Sequence, residues 1–207
     1  MPPVQPDAAT LRLAVAPRAG LLADALLVSA GAGLVALAAQ VSVHLGFTPV
    51  PITGQTFAVV LVGAALGSVR GTASLLLYLV AGVAGAPVYA AHAHGWGVFS
   101  GATGGYIVGF VVAAAFTGWL AERRLDRRVS TSISAMLNGN VVIYVFGLLW
   151  LHHWLHASWA TTLTDGLYPF VAGDMIKVYL AAAALPGAWR LVGRVSRSAG
   201  GGPRRRR

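Results

Sequence analysis

The run Gly166-Leu167-Tyr168-Pro169-Phe170-Val171-Ala172-Gly173-Asp174-Met175-Ile176-Lys177-Val178-Tyr179-Leu180 continues from Ala181 to Trp189 without another charged residue. At a rise of about 1.5 Å per residue, such a stretch is long enough to cross the roughly 30 Å hydrocarbon core of a bilayer as a helix. The composition agrees. Of 207 residues, 57% are hydrophobic and 10% are charged, whereas soluble domains carry about 25% charged residues. The mean hydropathy is +0.70. These values describe an all-α integral membrane protein that crosses the bilayer several times.

Asp174 and Lys177 are the exceptions within this run, and Lys177 is the only lysine in the chain. Three residues apart, they share one face of a helix. Charge at membrane depth costs roughly 3 kcal/mol per residue on insertion scales, so it marks a functional site by default. The plainer alternative is an ion pair whose only role is to let the helix insert.

Outward from this run, the sequence shows six apolar spans, at about 21–45, 56–69, 72–90, 104–121, 133–155 and 167–189. The second and third are separated by little more than Arg70-Gly71. The first is too long for a signal peptide and reads as a retained span. The loops alternate in charge. Arg12, Arg18, Arg70, Arg123, Arg124, Arg127, Arg128, Arg190, Arg194, Arg197 and Arg204 to Arg207 fall on one side, while the loops near 46–55, 91–103 and 156–166 contain no lysine or arginine. By the positive-inside rule both termini are cytoplasmic, and six spans make the alternation work. The domains expected are a cytoplasmic N-terminal arm over 1–20, a membrane domain over 21–190, and a basic, disordered tail over 191–207.

Topology accounts for most of the +9 net charge, so no nucleic-acid partner is implied; the lipid bilayer is the partner the composition requires. The absence of cysteine excludes disulfides and thiolate chemistry. There is no Walker sequence and no His-Glu-x-x-His. Ser100 would need a histidine base from another helix to act as an intramembrane protease, and the sequence places none there. His44, His92, His94, His152, His153 and His156 all fall at outer ends of spans. Nickel, cobalt or zinc ligation is one reading of them; polar residues at the membrane interface are the more economical one, and no metal site is assigned.

Two outer segments are irregular. Phe47-Thr48-Pro49-Val50-Pro51-Ile52-Thr53-Gly54-Gln55-Thr56-Phe57 has two prolines that remove donors and favour extended chain. Non-helical backbone near membrane depth belongs at a buried or watery cavity, so this is the natural rim of a pocket, with Thr53 also a candidate helix cap. Gly95 to Tyr106 combines turn-forming glycines with Trp96, Phe99 and Tyr106. In the first span, Ala25, Ser29 and Gly33, and separately Ala32 and Ala36, recur every four residues, which lets another helix approach closely. Packing within the chain and docking of another membrane subunit remain equal readings of that face.

Several of these blocks together resemble the BioY family, the biotin-specific S components of energy-coupling factor transporters. The blocks are Thr48 to Val59 with Gly67 and Arg70-Gly71, Leu77-Tyr78-Leu79 through Gly85-Ala86-Pro87-Val88-Tyr89-Ala90, Thr103-Gly104-Gly105-Tyr106 with Gly109-Phe110, and Pro169 to Lys177. Two positions depart from the family pattern: Gly101-Ala102 replaces Gly-Pro, and Gly54 stands where a bulkier apolar residue is usual. Both would loosen the rim of a pocket.

The resemblance implies an S-component fold in a bacterial plasma membrane, biotin as the transported ligand with no cofactor, and a partnership with a transmembrane coupling subunit and two ABC-type ATPases. It implies a binder rather than an enzyme, and leaves a homo-oligomer open. An S component for another vitamin is the nearest alternative. For biotin, Asp174 would accept from ureido N–H groups and Lys177 would donate to an oxygen. Thr53, Gln55 and Tyr106, beside Gly105, would add polar contacts and a stacking face, with Tyr144 a further candidate. Asn138 and Asn140 lie deeper and are expected to bond between helices.

Overall fold

The computed structural model describes residues 10–15 and 20–200. A short helix α1 (Leu11–Val15) precedes α2 (Leu21–Gln40). Two-residue strands β1 (Ser42–Val43) and β2 (Ile52–Thr53) follow, antiparallel with Ser42 opposite Thr53. Then come α3 (Gln55–Leu66), α4 (Ser68–Val83), a 3-10 turn at Ala90–His92, α5 (Trp96–Phe99), α6 (Gly104–Glu122), α7 (Val129–Leu155), α8 (Trp159–Gly166) and α9 (Tyr168–Gly200).

Four of these, α2, α6, α7 and α9, are long and apolar enough to cross a membrane. The helices α3 and α4 have 12 and 16 residues. At 1.5 Å per residue they reach only about 18 and 24 Å. They join through Gly67, whose φ of 86° is readily adopted only without a Cβ.

The hairpin therefore turns three residues earlier than the charge pattern suggests. Arg70 is not in the turn but in the first turn of α4. It forks onto Asp24 of α2, with Nε to Oδ1 at 2.9 Å and Nη2 to Oδ2 at 2.8 Å. Glu122, at the end of α6, caps α4 by accepting from the Ser68 N–H and hydroxyl, each at 2.8 Å.

The first span ends at Gln40, because the chain then enters the strand pair. That pair is a small exception to an otherwise helical chain. At the other terminus α9 runs on to Gly200, so residues 191–200, expected to be disordered, are helical. Extending a helix already formed adds a hydrogen bond per residue without a new nucleus. Arg18 and Arg204 to Arg207 lie outside the described residues.

Helix α6 is central, packing against α3, α4 and α7. One apolar cluster, including Val35, Val59, Tyr78, Phe110 and Ile143, lies under the irregular loops. A second, with Met136, Val178, Ala181 and Leu185, lies towards the arginine-rich end. There Trp189 donates its indole N–H to the buried Asp126 at 2.6 Å, and the Arg127 guanidinium lies over the same ring, 3.5 Å from its centroid.

Candidate substrate-binding site

A cavity of about 200 Å³ lies at the loop end of the helices, walled by β1–β2 and its loop, the segment between α4 and α5, and helices α3, α6, α7 and α9. Most of its wall is apolar, with Val98, Ile107, Phe110, Ile143 and Phe170 among the lining residues. Its two charged side chains, Asp174 and Lys177, stand together. Asp174, 4% exposed, is held by three neighbours from three helices. Oδ1 accepts from Lys177 Nζ at 2.8 Å and from the Thr56 hydroxyl at 3.0 Å, and Oδ2 accepts from the Tyr144 hydroxyl at 2.5 Å.

Lys177 Nζ also donates to the Thr53 carbonyl at 2.6 Å and makes a longer contact to Thr56 Oγ1 at 3.4 Å. The pair that shares a helix face is thus joined, and it ties α9 to the start of α3. An ammonium has three donors, and three acceptors are in place. An incoming anion would displace the long Thr56 contact first. On Asp174, Oδ2 keeps one acceptor position, since each carboxylate oxygen can take about two hydrogen bonds.

Thr53 contributes its backbone carbonyl rather than its hydroxyl to this cluster; the hydroxyl accepts from the Gln55 N–H at 3.4 Å. The residue immediately before the helix is Gly54, not Thr53, so Thr53 reaches the first helical N–H from one position further out. Gly54 also tightens the rim instead of loosening it: a Cβ there would stand 2.7 Å from the Ala38 carbonyl oxygen. Gln55 lines the cavity and donates to the Tyr78 hydroxyl at 2.5 Å.

Tyr106 presents its ring to the cavity, edge-on to Tyr144 with centroids 6.4 Å apart. Its hydroxyl points elsewhere, donating to the Gly166 carbonyl at 2.8 Å. Gly105 is not in the lining. It faces α7, where a Cβ would collide with Trp150 and the Phe146 carbonyl, so its role is to let α6 and α7 approach.

Thr56, Phe170 and Tyr89 line the cavity but are not assigned as binding residues by the sequence, and Tyr78 stands behind Gln55, outside the lining. Thr56 had a signal, being the polar residue one position into an apolar helix. Tyr78 and Phe170 fall within the blocks that carry the family resemblance, which give them no individual role. Tyr89 is buried and donates its hydroxyl to the Leu79 carbonyl at 2.8 Å.

The small-residue face of α2 divides in two. Ala32 is buried and Ala36 half-buried, whereas Ala25, Ser29 and Gly33 are exposed. Among the described residues no group of three or more metal-binding side chains occurs. His152 instead stacks on Trp159 at 4.0 Å, and the Ser100 hydroxyl donates to the Trp96 carbonyl at 2.9 Å. Asn138 is exposed and bonds back to Ser134 of its own helix at 2.8 Å, not between helices. Asn140 is buried as expected, but its Oδ1 has no partner.

The fold and this cluster define a multi-pass helical membrane protein with a mostly apolar cavity and a charged polar corner. Its fold matches the crystal structure of the S-component for biotin from an ECF-type ABC transporter, with a TM-score of 0.72 over 82% of this chain and 90% of that one, at 24% identity. The chain belongs to the BioY family, whose model matches residues 9–194. Its relatives include the biotin transporter BioY of Rhizobium etli, 35% identical over 72% of this chain and 83% of the relative. That of Rhodobacter capsulatus is 36% identical over 70% and 85%, and that of Thermotoga maritima 35% over 72% and 85%.

Proposed function

We propose that this chain is a biotin-capturing S component that takes the vitamin from outside a bacterial cell for uptake. The observation that carries this reading is the Asp174–Lys177 pair, set at the polar corner of an apolar cavity and joined there by Thr56 and Tyr144. Biotin has the matching pattern: an apolar ring and chain, a ureido group that donates and accepts, and an anionic carboxylate. Asp174 receives ureido N–H groups, Lys177 meets an oxygen, and the apolar walls take the ring. Gln55, Thr53 and the faces of Tyr106 and Tyr144 complete the site; Gly105 supports it through packing.

In the same proposal six helices span the bilayer with both termini cytoplasmic, as the arginine distribution favours. The sequence holds no Walker motif, and in this proposal a coupling subunit and two ABC-type ATPases drive transport. The exposed Ala25, Ser29 and Gly33 are the candidate contact. A ligand shifts a conformational equilibrium only by its differential affinity, and nucleotide hydrolysis in the partners supplies the bias.

Equilibrium binding on detergent-purified protein tests the assignment, with biotin compared against thiamine, riboflavin and nickel. Biotin alone should bind, and Asp174→Asn and Lys177→Ala should each abolish its retention while the protein stays monodisperse. Preference for another vitamin, or undiminished biotin binding in both variants, would overturn it.

A further inference from the structure

Between α4 and α5 the chain forms a strap along the cavity, and Tyr89, Ala90 and Ala93 line it. Two consecutive residues in this strap, Ala91 and His92, have φ of 53° and 60°. That left-handed region is disfavoured for any residue with a Cβ, and more so for two in succession. Both residues are exposed, so packing of their own side chains does not hold them there. Such outliers persist only where the surroundings over-determine them.

The strap is anchored at its ends by the Tyr89 hydroxyl on the Leu79 carbonyl and the Gly95 N–H on the Gly82 carbonyl, and His94 Nδ1 contacts the His92 carbonyl at 3.2 Å. Around the strained pair itself stand two backbone bonds and one side chain from another helix. Ala93 N–H donates to the Ala90 carbonyl and Tyr89 N–H to the Ala93 carbonyl, each at 3.1 Å. Gln40, the last residue of α2, adds a grip from outside the strap. Its Oε1 accepts from the His92 N–H at 3.0 Å, and its Nε2 donates to the Tyr89 carbonyl at 3.2 Å and to Ala36 at 2.9 Å. One amide side chain thus grips the strap before its strained pair, at Tyr89, and within it, at His92. Gln40 is not among the residues lining the cavity.

We infer that Gln40 is a positioning residue that holds the strained 89–93 strap closed along the cavity and so governs how fast a bound small molecule leaves. Without the clamp, Ala91 and His92 relax to negative φ, which carries Ala90 and Ala93 away from the cavity wall. The effect on ligand release rests on the binding reading above; the effect on the strap itself does not.

The chain contains no cysteine, so Ala93→Cys places a unique thiol on the strap, and its labelling rate by a hydrophilic maleimide reports opening. Gln40→Leu removes both strap bonds and should raise that rate about tenfold, on the usual worth of neutral hydrogen bonds. Gln40→Glu keeps an acceptor for His92 and loses the donor to Tyr89, so it should fall between. In an Ala91→Gly/His92→Gly background the strain is gone, and the effect of Gln40→Leu should shrink to about threefold or less. Biotin dissociation should rise in parallel with labelling. An unchanged labelling rate in Gln40→Leu and Gln40→Glu, or the full effect persisting in the double-glycine background, would overturn the inference. Wild-type protein that binds no biotin would refute the functional assignment instead, while labelling still decides the strap.

Discussion

Lys177 Nζ lies 2.6 Å from the carbonyl oxygen of Thr53, so the single lysine fastens the last long helix to the chain entering α3. The same ammonium neutralises Asp174, whose side chain is 6% exposed against 19% for the lysine. Removing one member of a buried pair strands the other and costs about 3–5 kcal/mol, whereas removing both is far less harmful. Lys177→Met should therefore lower the unfolding temperature in detergent markedly, and Asp174→Asn/Lys177→Met should recover most of the loss. A double variant as unstable as the sum of the single ones would show the two charges to be independent.

Tyr106 separates two roles that a tyrosine can combine. Its ring lines the cavity, while its hydroxyl is spent on the Gly166 carbonyl at the end of α8. Tyr106→Phe should cost about 1 kcal/mol of stability, the usual net worth of one such bond. Biotin affinity, measured by calorimetry, should stay within about threefold of wild type. A large loss of affinity at unchanged stability would place the hydroxyl on the ligand.

Gly105 gives the opposite pattern to a binding residue. A methyl group there would run into Trp150 and the Phe146 carbonyl, and overpacking of this kind costs about 1–3 kcal/mol. Gly105→Ala should be less stable by thermal unfolding, yet the folded fraction should bind biotin normally.

Asp126 lies in the loop before α7, where burial pushes its carboxyl above the ordinary 3.8; the Trp189 N–H and the charge of Arg127 offset this only in part. A carboxyl raised in the folded state binds its proton more tightly than in the unfolded chain. Its contribution is thus full below the ordinary value and is lost as pH rises through the raised one. Asp126→Asn keeps an acceptor for Trp189 and carries no charge, so it should unfold at a higher temperature than wild type at pH 7. That advantage should disappear on acidification to below the ordinary carboxylate value. An equal gap at all pH values would assign the effect to something other than the proton.

The span read at 104–121 lies where α6 runs from Gly104 to Glu122, whereas those at 56–69 and 133–155 are three and four residues out at one end against α3 (Gln55–Leu66) and α7 (Val129–Leu155). The α3–α4 turn was misplaced because Arg70 reads as a loop residue, and its neutralisation by Asp24 of α2 is a tertiary fact. The shared face of Asp174 and Lys177 followed from their spacing within one helix. The convergence of Thr56 and Tyr144 on Asp174 did not, because it depends on how α3 and α7 meet α9. Glycines carried the least readable information. Gly54 and Gly105 are defined by the carbonyl or indole each lies against, and neither neighbour is close in sequence.

The short reach of α4 has a consequence for the surrounding lipid. At about 24 Å against a hydrocarbon core of about 30 Å, this 16-residue helix, whose Leu76, Leu77 and Val80 are exposed, cannot match an unperturbed bilayer along its flank. With the α3–α4 hairpin embedded as proposed, the adjacent leaflets must pinch inward, at a fraction of a kcal/mol per Å of mismatch. The protein then carries a dent in the membrane on one side and none on the side of α7, whose 27 residues span it in full. Reconstituted into bilayers of increasing acyl-chain length, it should lose stability steadily, with lipid thickness acting as an adjustable load on the α3–α4 hairpin.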